Sequence, residues 1–225
     1  SRFWATRFYY PGLANETDYS GDTTVYRSYS NHLRMIYREE LKRIDSKLQV
    51  LFQYITDQYK DEDIIVTLFS DHGTSMNVPD GLPMMSPKRV QIPLLIRSDW
   101  QGEHECCEKI ETIDFGHILC KLAGIREERL NKDDGQLPVF FGGKEEKNII
   151  FSQSLFPDRY YEAFMYVDNY YFYLKNSTLV TNECRVDLQD CQSFLTDEKG
   201  NEFKDAEKTK FCMDFIKAQL RDYIV

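Results

Sequence analysis

An aspartate, a histidine and a glycine stand together as Asp71-His72-Gly73, directly after an apolar run of Ile64, Ile65, Val66, Leu68 and Phe69. A carboxylate offers a hard oxygen and an imidazole a borderline nitrogen, so an adjacent pair can supply half the ligands of a divalent metal. Gly73 lets the backbone turn sharply, so that both side chains can face one point. The same three residues also read as a plain polar turn, since motifs this short recur by chance. The run before them is short and rich in β-branched residues, which predicts a strand buried on both faces. In open α/β sheets ligands sit beyond the carboxyl ends of the strands, and this makes Asp71 and His72 candidate metal ligands. Further along, Lys88 and Arg89 are candidate anion contacts, with an exposed surface pair as the alternative.

The elements that must position these residues follow from periodicity. From Tyr29 to Tyr59, Leu33, Ile36, Tyr37, Leu41, Ile44, Leu48, Leu51, Phe52 and Ile55 recur at spacings of three and four. That spacing predicts a long helix with one apolar stripe, which a sheet would cover. Arg34, Arg38, Glu39, Lys42, Arg43 and Lys47 form its solvated face. Phe3 to Phe8 reads as an earlier strand, ended by Tyr10-Pro11-Gly12. A long loop over 74–91 leads to Ile92-Pro93-Leu94-Leu95-Ile96, a second buried strand with its proline at the entry. Thr112 to Gly124 reads as a helix with Thr112 as N-cap and Gly124 as C-cap, and His117 on it reads as a packed or exposed side chain. Residues 126–147 are charged and Gly-rich, a surface excursion. Strands are then expected at Asn148 to Ser152, Tyr160 to Val167, Tyr170 to Leu174 and Cys184 to Leu188, with Asp168-Asn169 as a tight hairpin turn. An amphipathic helix from Asp205 closes the chain.

Composition narrows the function classes. Of 225 residues 42% are hydrophobic, and Tyr and Phe occur 15 times each, so the chain can bury a substantial core. A formal net charge of −9 lacks the electrostatic footprint of a general nucleic-acid binder. An anionic substrate remains compatible, because a bound cation reverses the local field. No apolar run has the length of a membrane span. None of the six cysteines forms a Cys-x-x-Cys pair, which speaks against a structural zinc site. His104-Glu105-Cys106-Cys107 reads as a loop or a soft-metal binder, and Cys184 and Cys191 can pair only in an oxidising compartment. The sequons at Asn15 and Asn176 matter only in a eukaryotic secretory host, so localisation stays open.

Taken in order, four pieces resemble the sulfatase branch of the alkaline phosphatase superfamily. A helix with a central acid, Ile44-Asp45, precedes a strand ending in Ser70-Asp71-His72-Gly73. After a loop comes Arg89-Val-Gln-Ile-Pro-Leu-Leu-Ile96, similar to the family's Arg-Val-Pro-Leu-Ile strand. Asp114-Phe-Gly-His-Ile-Leu-Cys-Lys-Leu-Ala-Gly-Ile125 is similar to its Asp-x-x-Pro-Thr-Leu-Leu-x-Leu-Ala-Gly-Ile helix. The late hairpins, Val186-Asp-Leu188 and the last helix look like its small sheet subdomain. The resemblance implies an α/β fold: a layered sheet with helices over residues 1–145, then a small antiparallel sheet and closing helix over 146–225. It implies hydrolysis of a sulfate ester at a divalent metal held in part by Asp71 and His72, calcium in the sulfatase branch. The phosphoglycerol or phosphoethanolamine transferase branch resembles the chain over the same region and implies manganese or zinc and a phosphate ester. The family's nucleophile begins a Cys/Ser-x-Pro-x-Arg motif, which none of these cysteines begins. The family's downstream His has no counterpart either: 74–87 contains no histidine. The resemblance therefore assigns the nucleophile and the first metal-binding acid to an upstream half outside this chain. A non-catalytic domain that keeps the fold without the chemistry is the competing expectation.

Overall fold

The computed structural model describes residues 30–73, 85–98, 105–126 and 135–224. The strand expected at Phe3 to Phe8, the sequon at Asn15 and His104 lie outside the described residues. Helix α1 spans Ser30–Gln58, 29 residues and ~43 Å at 1.5 Å per residue. Its solvated side carries two i,i+3 ion pairs, Lys42–Glu39 at 2.8 Å and Arg43–Glu40 at 2.9 Å. Its apolar stripe is only partly covered: Ile36, Leu48, Phe52 and Ile55 are half-buried, whereas Tyr37, Leu41, Ile44 and Leu51 are exposed.

Strand β1 (Val66–Phe69) pairs antiparallel with β2 (Leu94–Arg97), in register Val66↔Arg97 and Phe69↔Leu94. These two form a sheet by themselves among the described residues. Two strands about 4.8 Å apart make a narrow ladder. The same narrowness corrects the expectation that β1 is buried on both faces: Val66, Thr67 and Leu68 are half-buried and Phe69 is 50% exposed. A near-continuous apolar strand becomes fully buried only where strands and layers flank it on every side. Phe69 meets Phe115 edge-on, with ring centroids 5.0 Å apart, which ties the ladder to the next helix. Within the expected loop, Pro87–Val90 forms a short helix α2, with Pro87 in its first turn where a missing N–H costs nothing.

The helix expected from Thr112 begins as a 3-10 turn, Thr112–Asp114, and continues as α3 (Phe115–Leu122). Glu111, not Thr112, is the N-cap, in a reciprocal capping box with Asp114. Gly124 takes a φ of +66° just past the helix end, where glycine is favoured. The 126–147 stretch is not simply a surface excursion. Val139–Phe141 makes a 3-10 turn that buries Phe141, and Lys147 reaches inward to Glu111 at 2.6 Å and to Asp114 at 2.7 Å.

The largest core lies in the last third. Strands β3 (Ile149–Ser154), β4 (Tyr160–Val167), β5 (Tyr170–Leu179), β6 (Cys191–Asp197) and β7 (Glu202–Phe203) form a five-stranded antiparallel sheet in chain order. The expected turn at Asp168-Asn169 joins β4 to β5, with Asp168 at a φ of +49°. Alternate residues Tyr161, Ala163, Met165 and Val167 of β4 and Tyr170, Phe172 and Leu174 of β5 face one core. Helix α4 (Ala206–Gln219) lays Cys212 and Ile216 on that core. Asp205 caps α4 by accepting from the N–H groups of Glu207 and Lys208, each at 3.0 Å. The strand expected at Cys184–Leu188 is reduced to one bridge, Val186 to Ile224. The strand that forms instead is β6, pairing Tyr173↔Phe194 and Phe172↔Leu195 along the edge of β5. The molecule is thus mixed α/β, with an antiparallel C-terminal sheet and a closing helix.

Candidate metal half-site at the end of β1

The sequence Ser70-Asp71-His72-Gly73 leaves β1 without extending the ladder, and its side chains tie the turn together. The Ser70 hydroxyl donates to the His72 carbonyl at 2.7 Å, and the His72 N–H donates to Asp71 Oδ1 at 2.9 Å. These bonds turn the chain so that Asp71 Oδ2 lies 3.5 Å from His72 Nε2. Two ligands each about 2.1 Å from one tetrahedral ion lie roughly 3.4 Å apart, so the spacing suits shared ligation. The Asp71 side chain is 84% exposed and the His72 side chain 33%. Desolvation is the largest single influence on the Asp71 carboxyl and raises it, but the His72 ring, the backbone N–H groups and the Ser70 hydroxyl together outweigh it and lower the carboxyl below its ordinary value. Asp71 is therefore ionised at neutral pH.

The other edge of the ring faces the chain that returns from α2. His72 Nδ1 lies 2.7 Å from the Gly73 carbonyl oxygen and 2.9 Å from Arg89 Nη1. Arg89 Nη1 also donates to the Gly73 carbonyl at 2.8 Å, and the Gly73 N–H donates to the Arg89 carbonyl at 2.6 Å. Nδ1 thus has an acceptor and a donor in reach, and the edge serves either tautomer. When Nδ1–H donates to Gly73, Nε2 carries the lone pair toward Asp71, the arrangement metal-ligating histidines use.

Asp71 and His72 stand side by side at the strand end, and the structure puts Arg89 against the His72 ring. Nothing is described of the Lys88 side chain. Sequence reasoning missed the support behind Arg89. Met85 N–H donates to Glu162 Oε2 at 3.0 Å, and Lys175 lies 3.4 Å from Glu162 Oε1. Ser86, fully buried, then accepts through its carbonyl from the N–H groups of Arg89 and Val90. Residues 77 positions apart make the first of these contacts, and no local pattern announces it. The remaining candidates do not join the site. His117 is buried in α3. All six cysteines are free thiols, including Cys184 and Cys191. Among the described residues no group of three or more His, Cys, Asp or Glu side chains converges to hold a metal. Asn176 is 2% exposed and donates to Thr178 at 3.1 Å, so its sequon is not open to a glycan in this fold.

Fold and site together define a mixed α/β protein with an Asp71–His72 pair, partly open to solvent, at the end of a strand. No protein-family model matches the chain, and no curated protein matches it. Among the described residues no helix is long and apolar enough to cross a membrane.

Proposed function

We propose that the chain is the C-terminal portion of a sulfatase-like, metal-dependent sulfuric ester hydrolase, in which Asp71 and His72 are two ligands of a divalent metal. The observation that carries this reading is the approach of Asp71 Oδ2 to His72 Nε2 at 3.5 Å, with the far ring nitrogen on a backbone carbonyl. A bound divalent ion supplies Lewis-acid stabilisation of an ester oxygen. The chain's own residues do the rest of what is assigned here. Asp71 contributes an ionised oxygen, His72 a nitrogen, and Gly73 and Arg89 hold the ring. The layered arrangement of the alkaline phosphatase superfamily belongs to the same proposal, as do calcium as the metal and a sulfate ester as the substrate. The transferase branch, with manganese or zinc and a phosphate ester, is the neighbouring reading.

Only two ligands converge among the described residues, which favours weak metal binding by this chain alone and also gives the non-catalytic reading its footing. Calorimetric titration of the chain with calcium, manganese and zinc separates the two. The proposal expects saturable binding of at least one ion, abolished in Asp71→Ala and in His72→Ala. Indifference of all three proteins to every ion would refute it. The chain alone is expected not to hydrolyse an aryl sulfate, and turnover that depends on added metal would overturn that part.

A further inference from the structure

We infer that Arg89 is a positioning residue, and that it fixes the His72 ring so that Nε2, rather than Nδ1, faces Asp71. The inference rests on the reading of Asp71 and His72 as metal ligands, and it assigns to Arg89 a role beyond contact with an anion. An imidazole on a turn can rotate about its last side-chain torsion, which is broad for histidine, and exchange the nitrogen it presents. Here the Nδ1 edge is held from two sides. Gly73 O stands 2.7 Å away and Arg89 Nη1 2.9 Å away, and Nη1 itself donates to Gly73 O at 2.8 Å. In the tautomer that leaves Nε2 its lone pair, Nδ1–H donates to Gly73 O and Arg89 acts through that carbonyl, which Nη1 holds in place; Nη1 donates to Nδ1 itself only in the other tautomer. A guanidinium N–H fixed in its plane keeps its direction on the carbonyl better than an ammonium, which is strongly hydrated and free to rotate.

Arg89 can do this because its own backbone is fixed. Its carbonyl accepts from Gly73 N–H at 2.6 Å, so the turn and α2 are joined at both main chain and side chain. Its N–H donates to the Ser86 carbonyl at 2.8 Å, and the neighbouring Met85 is anchored to Glu162 on β4. Glu162 is 4% exposed and has Lys175 of β5 beside it. A continuous set of bonds therefore runs from the five-stranded sheet through α2 to the His72 ring. Groups that orient a ligating histidine from behind typically change metal affinity 10–100-fold when removed.

The test uses the full chain in two arms, the first without metal. Long-range proton–nitrogen NMR spectra of the His72 ring are compared for the parent, Arg89→Met, Arg89→Lys and Arg97→Met, the last removing an exposed charge from β2. The expected result is distinct ring-nitrogen shifts in the parent and in Arg97→Met. In Arg89→Met they collapse toward those of free histidine, and Arg89→Lys lies between. In the second arm, manganese affinity falls at least tenfold in Arg89→Met and stays unchanged in Arg97→Met. Superimposable ring spectra in the parent and both Arg89 variants overturn the inference, even where metal binds. Altered ring spectra in a protein that binds no metal uphold the positioning role and refute the metal reading instead. If Arg89→Met does not fold, Arg89→Lys decides by the same two readouts.

Discussion

Replacing Lys147 with Met tests how the segment after α3 is fastened to the C-terminal sheet. The Lys147 ammonium lies 2.6 Å from Glu111 Oε2 and 2.7 and 2.8 Å from the two Asp114 oxygens. The side chains of Lys147, Glu111 and Asp114 are 14%, 19% and 1% exposed, so this is a desolvated cluster and not a surface pair. Breaking a buried pair by removing one partner costs about 3–5 kcal/mol, because the other charge stays buried without its counterion. Asp114 keeps the N–H groups of Glu111 and Gln136, at 2.8 and 3.0 Å, and Glu111 keeps the N–H of Phe151 at 2.8 Å. Those donors place the expected cost at the low end, about 3 kcal/mol. For a domain of this size that is a fall of roughly 6–12 °C in the unfolding midpoint. Urea unfolding measured by circular dichroism reads the loss as a lower midpoint at unchanged slope. The double variant with Asp114→Asn should lose less than the sum of the two single losses, since no ionised Asp114 is then left stranded. A Lys147→Met protein within about 0.5 kcal/mol of the parent, the range of ordinary surface substitutions, would refute the reasoning.

Alkaline pH should destabilise the C-terminal sheet through Cys212. Burial pushes its thiol from an ordinary 9.0 up to about 11, against smaller opposing effects of the Tyr170 hydroxyl and Lys208. The folded value is the higher one, so the contribution is fully present below about pH 9 and is lost as pH rises toward 11. Burial raises the Tyr161 and Tyr170 hydroxyls as well, which adds to the loss at still higher pH. Denaturant midpoints across pH 8–11 should therefore fall, and less steeply in Cys212→Ala; identical profiles would contradict the assignment. At the start of α4, Asp205→Ala removes the acceptor of two N–H groups and should cost about 1 kcal/mol, while Asp205→Asn should keep most of it. Equal losses in the two variants would mean that the cap bonds are not what stabilises this end.

Much of the local architecture was legible from residue order alone. The three- and four-residue spacing of apolar side chains located α1 and α4. Aromatic-rich runs located β4 and the first half of β5, and Asp168-Asn169 the turn between them. Helix and strand periods act over a few residues, so a linear reading finds them. The juxtaposition of Asp71 and His72 was equally legible, because they are neighbours in sequence. Two errors have one cause. Cys191–Asp197 has little strand character of its own and becomes β6 because β5 presents an edge to pair with, while Cys184–Leu188 finds no such edge and contributes one bridge. How deeply β1 is buried depended likewise on how many strands flank it.

Sequence by itself therefore determined the periodic elements, the hairpin and the identity of the Asp71–His72 pair. Tertiary structure alone decided that Arg89 stands against the His72 ring, that Glu162 anchors the segment carrying it, and that Lys147 closes on Glu111 and Asp114. The physical reason is separation along the chain. A period is written into consecutive side chains, whereas a charge finds its partner 17, 77 or 33 residues away only once packing has brought the two together and excluded the water between them.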